Sequence, residues 1–310
     1  MTSGITSDPA PARLSVGVVS AGRVGTAVGE ALERVGHVVF GVAAVSDASR
    51  ARAQERLPDA QILPATDVAR RSELLILAVP DQELAGLVGG LAATGAVKPG
   101  TLVMHVSGAN GVGILEPLTA RGAVPLAIHP AMTFSGKAED TSRLQSACFG
   151  VTARDDIGYA IAQALVLEMG GEPVRVREDA RTLYHAALAH GSNHLVTVVV
   201  DALDALRAAL AHQELLGQEL VLDAPGGVAE RVLAPLLSAA LDNVLRRGQA
   251  ALTGPVMRGD SATVARHLDA LVEVDPRIAA GYRALSLRTA QQARSADDMV
   301  NLLENWGPAT

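Results

Sequence analysis

The chain has 310 residues, of which 49% are apolar and 2% aromatic, with a formal charge of −7 at pH 7. That length suits two domains, and that apolar content can fill a sizeable core. An acidic balance with so few aromatic rings argues against nucleic-acid binding, which favours basic faces and stacking platforms.

The only cysteine, Cys148, excludes an internal disulfide and a cysteine-rich metal site. It reads as a small buried apolar residue, and a reducing cytoplasm suits it. Lysine occurs only at Lys98 and Lys137, against 24 arginines. The opening stretch MTSGITSDPAPAR has neither a basic nor an apolar segment, so a disordered lead over residues 1–12 is expected rather than a signal peptide. The longest uncharged apolar stretch, AALAHGSNHLVTVVV, is shorter than a bilayer span needs. No membrane partner is expected.

In chain order, LSVGVV, HVVFGVAAV, ELLILAV, GTLVMHV and AVPLAI read as strands. Helices are expected from Thr26, around Ala48, at Thr66 or Asp67, at Asp81 and near Gly111. CFGVTA, a helix from Asp155 to about Met169, and EPVRV follow. Alternating strands and helices with near-continuous apolar strands predict a doubly wound, mainly parallel α/β sheet over residues 13–177. Beyond it, a helical pattern of more than 30 residues runs from Ala180 to Gly217. GGVAERVLAPLLSAALDNVLRRG, SATVARHLDALVEV and PRIAAGYRALSLRTAQQARS come next, so residues 178–310 are expected to form an all-α domain.

The turn after the first strand reads Ser20-Ala21-Gly22-Arg23-Val24-Gly25. In the dinucleotide fingerprint G-x-G-x-x-G, the first glycine makes the tight turn. The second lets the pyrophosphate approach, and the third lets the helix pack on the sheet. Gly22 and Gly25 keep the last two roles, while Ser20 stands at the first. The helix N-terminus then offers free N–H groups to an anion.

Some twenty residues on, where NAD enzymes commonly place an acid, stand Ser46, Asp47, Ser49, Arg50 and Arg52. Hydroxyls and guanidinium groups suit a 2′-phosphate, so NADP(H) is favoured over NAD(H). Arg50 and Arg52 could instead form a solvated helix face, and Asp47 could face a ribose. Val79 and Pro80 end another strand at the ligand edge. Asp81 reads equally as an N-cap or a cofactor contact.

Six motifs, VGVVSAGRVG, LLILAVPD, HVSGA, IHPAMTF, LYHAALAHGSNHLV and LTGPVMRGDSATVARHLDAL, occur in order over roughly Leu14 to Arg294. Together they resemble the Rossmann-like proteins with a C-terminal helical domain of unknown function. These belong with the 6-phosphogluconate dehydrogenase-like reductases, whose relatives include ketopantoate and pyrroline-5-carboxylate reductases. The resemblance implies a Rossmann domain, a helical domain and a homodimer, without fixing one substrate.

In 3-hydroxyisobutyrate-type relatives a Lys-x-x-x-Asn pair serves the chemistry. Asn193 matches the asparagine, but Ala189 stands at the lysine position and no lysine follows Lys137. Histidine is the alternative donor. His185 is i−8 from Asn193 on one helix face. His129 and Ser107 end strands at the ligand edge. His105 reads as structural. HGSNH spaces two histidines i,i+4 without an acidic ligand, so no metal site is expected. Arg258 could hold a substrate carboxylate or pair with Asp260, and Thr253 and Tyr184 are further pocket candidates.

The NADP-leaning second strand, the carboxylate clamp and what the resemblance implies point together to an NADPH-dependent reductase of a small 2-oxo acid, with ketopantoate as the leading expectation. A pyrroline-5-carboxylate-type imine reductase is the alternative. A non-catalytic NADP(H)-binding sensor or scaffold is a third reading.

Overall fold

The short β-branched runs form strands whose side chains alternate between two buried faces. The computed structural model describes residues 13–211, 214–215, 218–219, 227–293 and 297–307. The lead expected over residues 1–12 lies outside the described residues. The strands are β1 Ser15–Val19, β2 Val38–Ala43, β3 Gln61–Ile62, β4 Leu74–Leu77, β5 Leu102–His105, β6 Val124–Pro130, β7 Cys148–Ala153 and β8 Glu172–Arg175. They make one sheet in the order β3-β2-β1-β4-β5-β6-β7-β8. The strands from β3 through β6 run parallel. β7 runs antiparallel to β6, and β8 runs parallel to β7. Strand order reverses between β1 and β4, and in open α/β sheets a ligand crevice opens at the carboxyl ends beside such a reversal.

The helices of this region are α1 Arg23–Arg34, α2 Asp47–Arg56, α3 Ala65–Arg71, α4 Asp81–Thr94, α5 Glu116–Thr119, α6 Glu139–Leu144 and α7 Asp156–Glu168. A 3-10 turn, Val112–Leu115, leads into α5. The four side chains of β4 illustrate the layering. Leu74 and Ile76 join α1, α2, α6 and α7 in one apolar cluster. Leu75 and Leu77 join α3, α4 and α5 on the other face. All four are at most 1% exposed, so each contributes on the order of 2 kcal/mol through burial.

Several expectations need correction. Pro80, not Asp81, is the N-cap of α4, and Asp81 is its first residue. Cys148 is exposed rather than buried. It opens β7, where the pleat turns the next residue, Phe149, into the core instead. The sheet also contains β3, and the region also contains α6, neither of which the apolar pattern announced. β3 is only two residues long and exposed.

The rest of the chain is mainly helical: α8 Arg181–Leu210, α9 Val228–Arg247, α10 Ser261–Val274, α11 Pro276–Ala293 and α12 Asp297–Asn305. The helical pattern expected through Gly217 stops at Leu210. A short antiparallel pair follows, β9 Glu214–Leu215 and β10 Gln218–Glu219. His212, Gln213, Leu216 and Gly217, near the end of that expected pattern, lie outside the described residues. The chain parts into two compact units, residues 1–189 and 190–310, and the parting falls within α8. In the second unit, Val264 and Leu268 of α10, Ala290 of α11, and Met299 and Leu303 of α12 form a core with Val256. Among the described residues, no helix is long and apolar enough to cross a membrane.

Candidate functional site

The turn between β1 and α1 is held from below. The amides of Ser20 and Ala21 both donate to Ala43 O, at 3.0 and 3.3 Å. Ser20 adopts φ 78°, alone among the described non-glycine residues in having a positive φ. It therefore occupies the left-handed conformation that the fingerprint's first glycine would take without strain. A Cβ on Gly25 would lie 2.3 Å from Ser20 O and 2.8 Å from Ala78 Cβ. Close packing of α1 against the sheet thus requires glycine there.

Gly22 differs. A Cβ there would meet nothing nearer than Ser20 Oγ at 3.5 Å, so no protein contact demands glycine. Gly22 is the N-cap of α1, with no side-chain cap and no acidic residue in the first helical turn. The first amides of α1 are therefore left to an anion from outside. A Cβ at Gly22 would intrude on that space, and the residues present fit a diphosphate.

Three guanidinium groups stand around this turn. Arg52 donates from Nη1 to Ala21 O at 3.1 Å, Arg50 from Nε to Ala44 O at 3.4 Å, and Arg23 from Nη1 to Phe134 O at 3.4 Å. Their described hydrogen-bond acceptors are main-chain carbonyls, and none of the three forms an ion pair among the described residues. Ser46 caps α2 by accepting from the Ser49 amide at 3.2 Å, and Ser49 Oγ donates to Ser46 O at 2.8 Å. Asp47 is exposed in the first turn of α2. Val79, half-buried, and Pro80, exposed, lead from β4 into α4.

The carboxyl ends of β5 and β6 hold the titratable cluster. His105 is fully buried. Its Nδ1 accepts from the Ser107 amide at 3.2 Å, and its Nε2 lies 2.8 Å from Gly111 O. The ring is therefore neutral with its proton on Nε2, and burial pushes its pKa down to about 4. Ser107 Oγ accepts from the amide and side-chain nitrogens of Asn110, at 3.1 and 2.9 Å.

His129 Nδ1 lies 3.0 Å from the Tyr184 hydroxyl. Its ring stands edge-on to Tyr184 and His185, with centroids 5.6 and 6.2 Å away. A Cβ on Gly108 would lie 2.7 Å from His185 Cδ2 and 3.0 Å from His129 Nε2. That glycine lets both imidazoles crowd the strand end. Burial, and then the charge of Arg181, push His129 down to about 4, so it is neutral at physiological pH. Burial raises the Tyr184 hydroxyl, with Arg181 pulling the other way.

The structure thus brings together His129, Tyr184, His185 and the Ser107–Gly108 loop. Asn193, Thr253 and Arg258 belong to the second unit, and all three are exposed there. Asp260 caps α10 through the Thr263 amide at 3.1 Å, and no Arg258–Asp260 ion pair occurs among the described residues. His190 and His194 face each other at 2.8 Å between their Nδ1 atoms. Among the described residues, no group of three or more potential metal ligands forms.

Sequence reasoning missed Arg181, which is 1% exposed beneath this cluster. A signal was present: a cation in the first turn of a long helix meets the positive end of the helix dipole, so another interaction must hold it there.

Residues 1–130 match the Rossmann-like domain family, and residues 147–289 match a domain of unknown function, DUF2520. No curated protein matches the sequence. Among solved structures, a candidate NADP oxidoreductase from Bacteroides fragilis is similar, with a TM-score of 0.73 and 19% identity over 90% of this chain and 98% of that one. A reductive aminase from Aspergillus terreus, in complex with NADPH and ethyl levulinate, has a TM-score of 0.63 and 18% identity, over 96% of this chain and 100% of that one. An imine reductase from Myxococcus stipitatus with NADP+ has a TM-score of 0.61 and 16% identity, over 94% and 100%.

Proposed function

Because this chain belongs to the Rossmann-like proteins that carry a DUF2520 domain, we propose that it is an NADPH-dependent reductase of a small 2-oxo acid, with ketopantoate as the leading substrate. The observation that carries this reading is the Ser20–Gly25 turn: an α1 N-terminus without a cap, beside a glycine that no internal contact requires. Bound there, NADPH would supply a hydride. The amides of α1 would hold its diphosphate, and Arg50 and Arg52, with Ser46 and Ser49, would take the 2′-phosphate.

At the ends of β5 and β6, His129 and Tyr184 form a neutral pair able to pass a proton across one 3.0 Å contact. His185 closes the open side of that pair. In a chain with no lysine after Lys137, this pair and His185 are the proton-handling groups of the first unit's site.

The alternative, an imine reductase of the pyrroline-5-carboxylate type, draws support from the fold shared with the reductive aminase and the imine reductase. Calorimetry with NADPH and NADH tests the coenzyme, and turnover of ketopantoate against cyclic imines separates the substrates. NADPH binding at least tenfold tighter than NADH is expected, with the preference reduced in Arg52→Gln. Absence of heat with either coenzyme ends the proposal. Tight binding without turnover in either direction selects the sensor reading.

A homodimer is part of the same proposal. Leu195, Val196 and Val200 of α8 and Leu236, Leu241 and Leu245 of α9 are exposed. A second copy covering these stripes would account for them. Light scattering on the purified chain tests this, and a monomer at micromolar concentration counts against it.

A further inference from the structure

Arg181, the first residue of α8, carries a charge that the protein itself does not neutralise. Its Nε donates to Thr152 Oγ1 at 2.7 Å, and Nη2 donates to Ala127 O at 2.7 Å and Gly150 O at 3.0 Å. Nη1 donates to Ser107 O at 3.3 Å. All four acceptors are neutral, and the Thr152 hydroxyl donates its own hydrogen bond to Val176 O at 2.5 Å. No carboxylate forms an ion pair with Arg181 among the described residues. Glu178, whose charge reaches it, spends both oxygens on the amides of Val112 and Gly113, at 2.7 and 2.9 Å. Burial lowers the guanidinium only to about 10, so it stays charged at neutral pH. The positive end of the α8 dipole adds to this charge instead of opposing it. A buried cation without a counter-charge is costly, and the cost falls when an anion arrives.

We propose that Arg181 is the specificity-determining residue of this site: a fixed interior cation that admits substrates bearing a carboxylate and rejects those whose reacting group is itself cationic. The inference rests on the reductase reading and turns on the charge of the reacting group, because pyrroline-5-carboxylate also bears a carboxylate and differs from a 2-oxo acid in its iminium. Hydride addition to a 2-oxo acid moves the C=O electron pair onto oxygen, and that oxygen then takes a proton from solvent through the Tyr184–His129 pair. Negative charge grows beside a cation. An imine is reduced as its protonated iminium, which brings positive charge into the same field. The Tyr184 ring lies 5.8 Å from the guanidinium carbon. A substrate charge held at a comparable distance, in an effective dielectric near 20, would change affinity on the order of 100-fold.

The test compares matched probes on the intact protein, by calorimetry, with and without saturating NADP+. The probes are oxamate, its neutral counterpart oxamide, and pyrrolidinium as a cationic ring. Oxamate is expected to bind at least tenfold tighter than oxamide, with no measurable pyrrolidinium binding. Arg181→Lys should keep part of that ratio and Arg181→Gln should lose it, with thermal unfolding recorded for both. If neither variant folds, the wild-type ratio decides. Equal binding of oxamate and oxamide, no binding of any probe, or a preference for pyrrolidinium overturns the proposal. A carboxylate preference that survives while NADP+ gives no heat supports Arg181's role and rejects the reductase reading.

Discussion

Two turns at the same edge of the sheet are built in opposite ways. The Ser20–Gly25 turn is backbone architecture: one left-handed residue, one glycine required by packing and one glycine left free. The cluster after β5 and β6 is side-chain architecture, in which His129 meets Arg181, Tyr184 and His185 from more than fifty positions away. A binding surface for a common group can be written in six consecutive residues. The chemistry that distinguishes substrates draws on partners that meet only in the folded chain.

Gly25→Ala should break the first turn most severely, because its Cβ would overlap a backbone oxygen. A loss on the order of 3 kcal/mol is expected by chemical denaturation, together with loss of NADPH binding. An equal loss from Gly22→Ala would erase the distinction between the two glycines.

The second region predicts a pH dependence of comparable size. The folded-state pKa of His105, about 4, lies below the unfolded value near 6.5. The unfolded chain therefore takes up the proton first. The stability contributed by the neutral ring is present above about pH 6.5, is lost as pH falls through that value, and levels off below about 4. The loss amounts to about 3 kcal/mol at most. Urea midpoints between pH 4 and 7 should fall toward acid, and His105→Gln should flatten the curve. His129, shifted the same way but partly exposed, adds less.

For Gly22→Ala, stability should change by less than about 1 kcal/mol, while NADPH affinity drops tenfold or more. That result would sharpen the contrast with Gly25. Ser20→Gly is the mildest change: relief of the left-handed serine should raise the denaturation midpoint by roughly 1 kcal/mol of stability. An unchanged or lower midpoint would mean that the hydroxyl compensates for its own strain.

The same contrast explains what could be read in advance. The β1 turn, the apolar strands and the heads of α2 and α7 carry local signals: alternation, capping residues and glycine spacing. Tyr184, His185 and His129 were visible as candidates because strand ends and helix faces follow from periodicity. Their meeting was not visible, since it depends on Gly108 and on β7 running against β6, which no local pattern specifies. For Arg181 the sequence offered only its unfavourable place at the start of α8, and nothing about what holds it there. Its partners are mainly backbone carbonyls of Ser107, Ala127 and Gly150, and a carbonyl leaves no mark on residue identity.

That choice of partners has an evolutionary consequence. Three of the four atoms holding the guanidinium belong to the main chain, and Thr152 supplies the lone side-chain acceptor. Neighbouring positions can therefore drift widely while the cradle persists, provided that the strand ends keep their path. Across related chains, an invariant arginine surrounded by variable neighbours would be the trace of such a cradle.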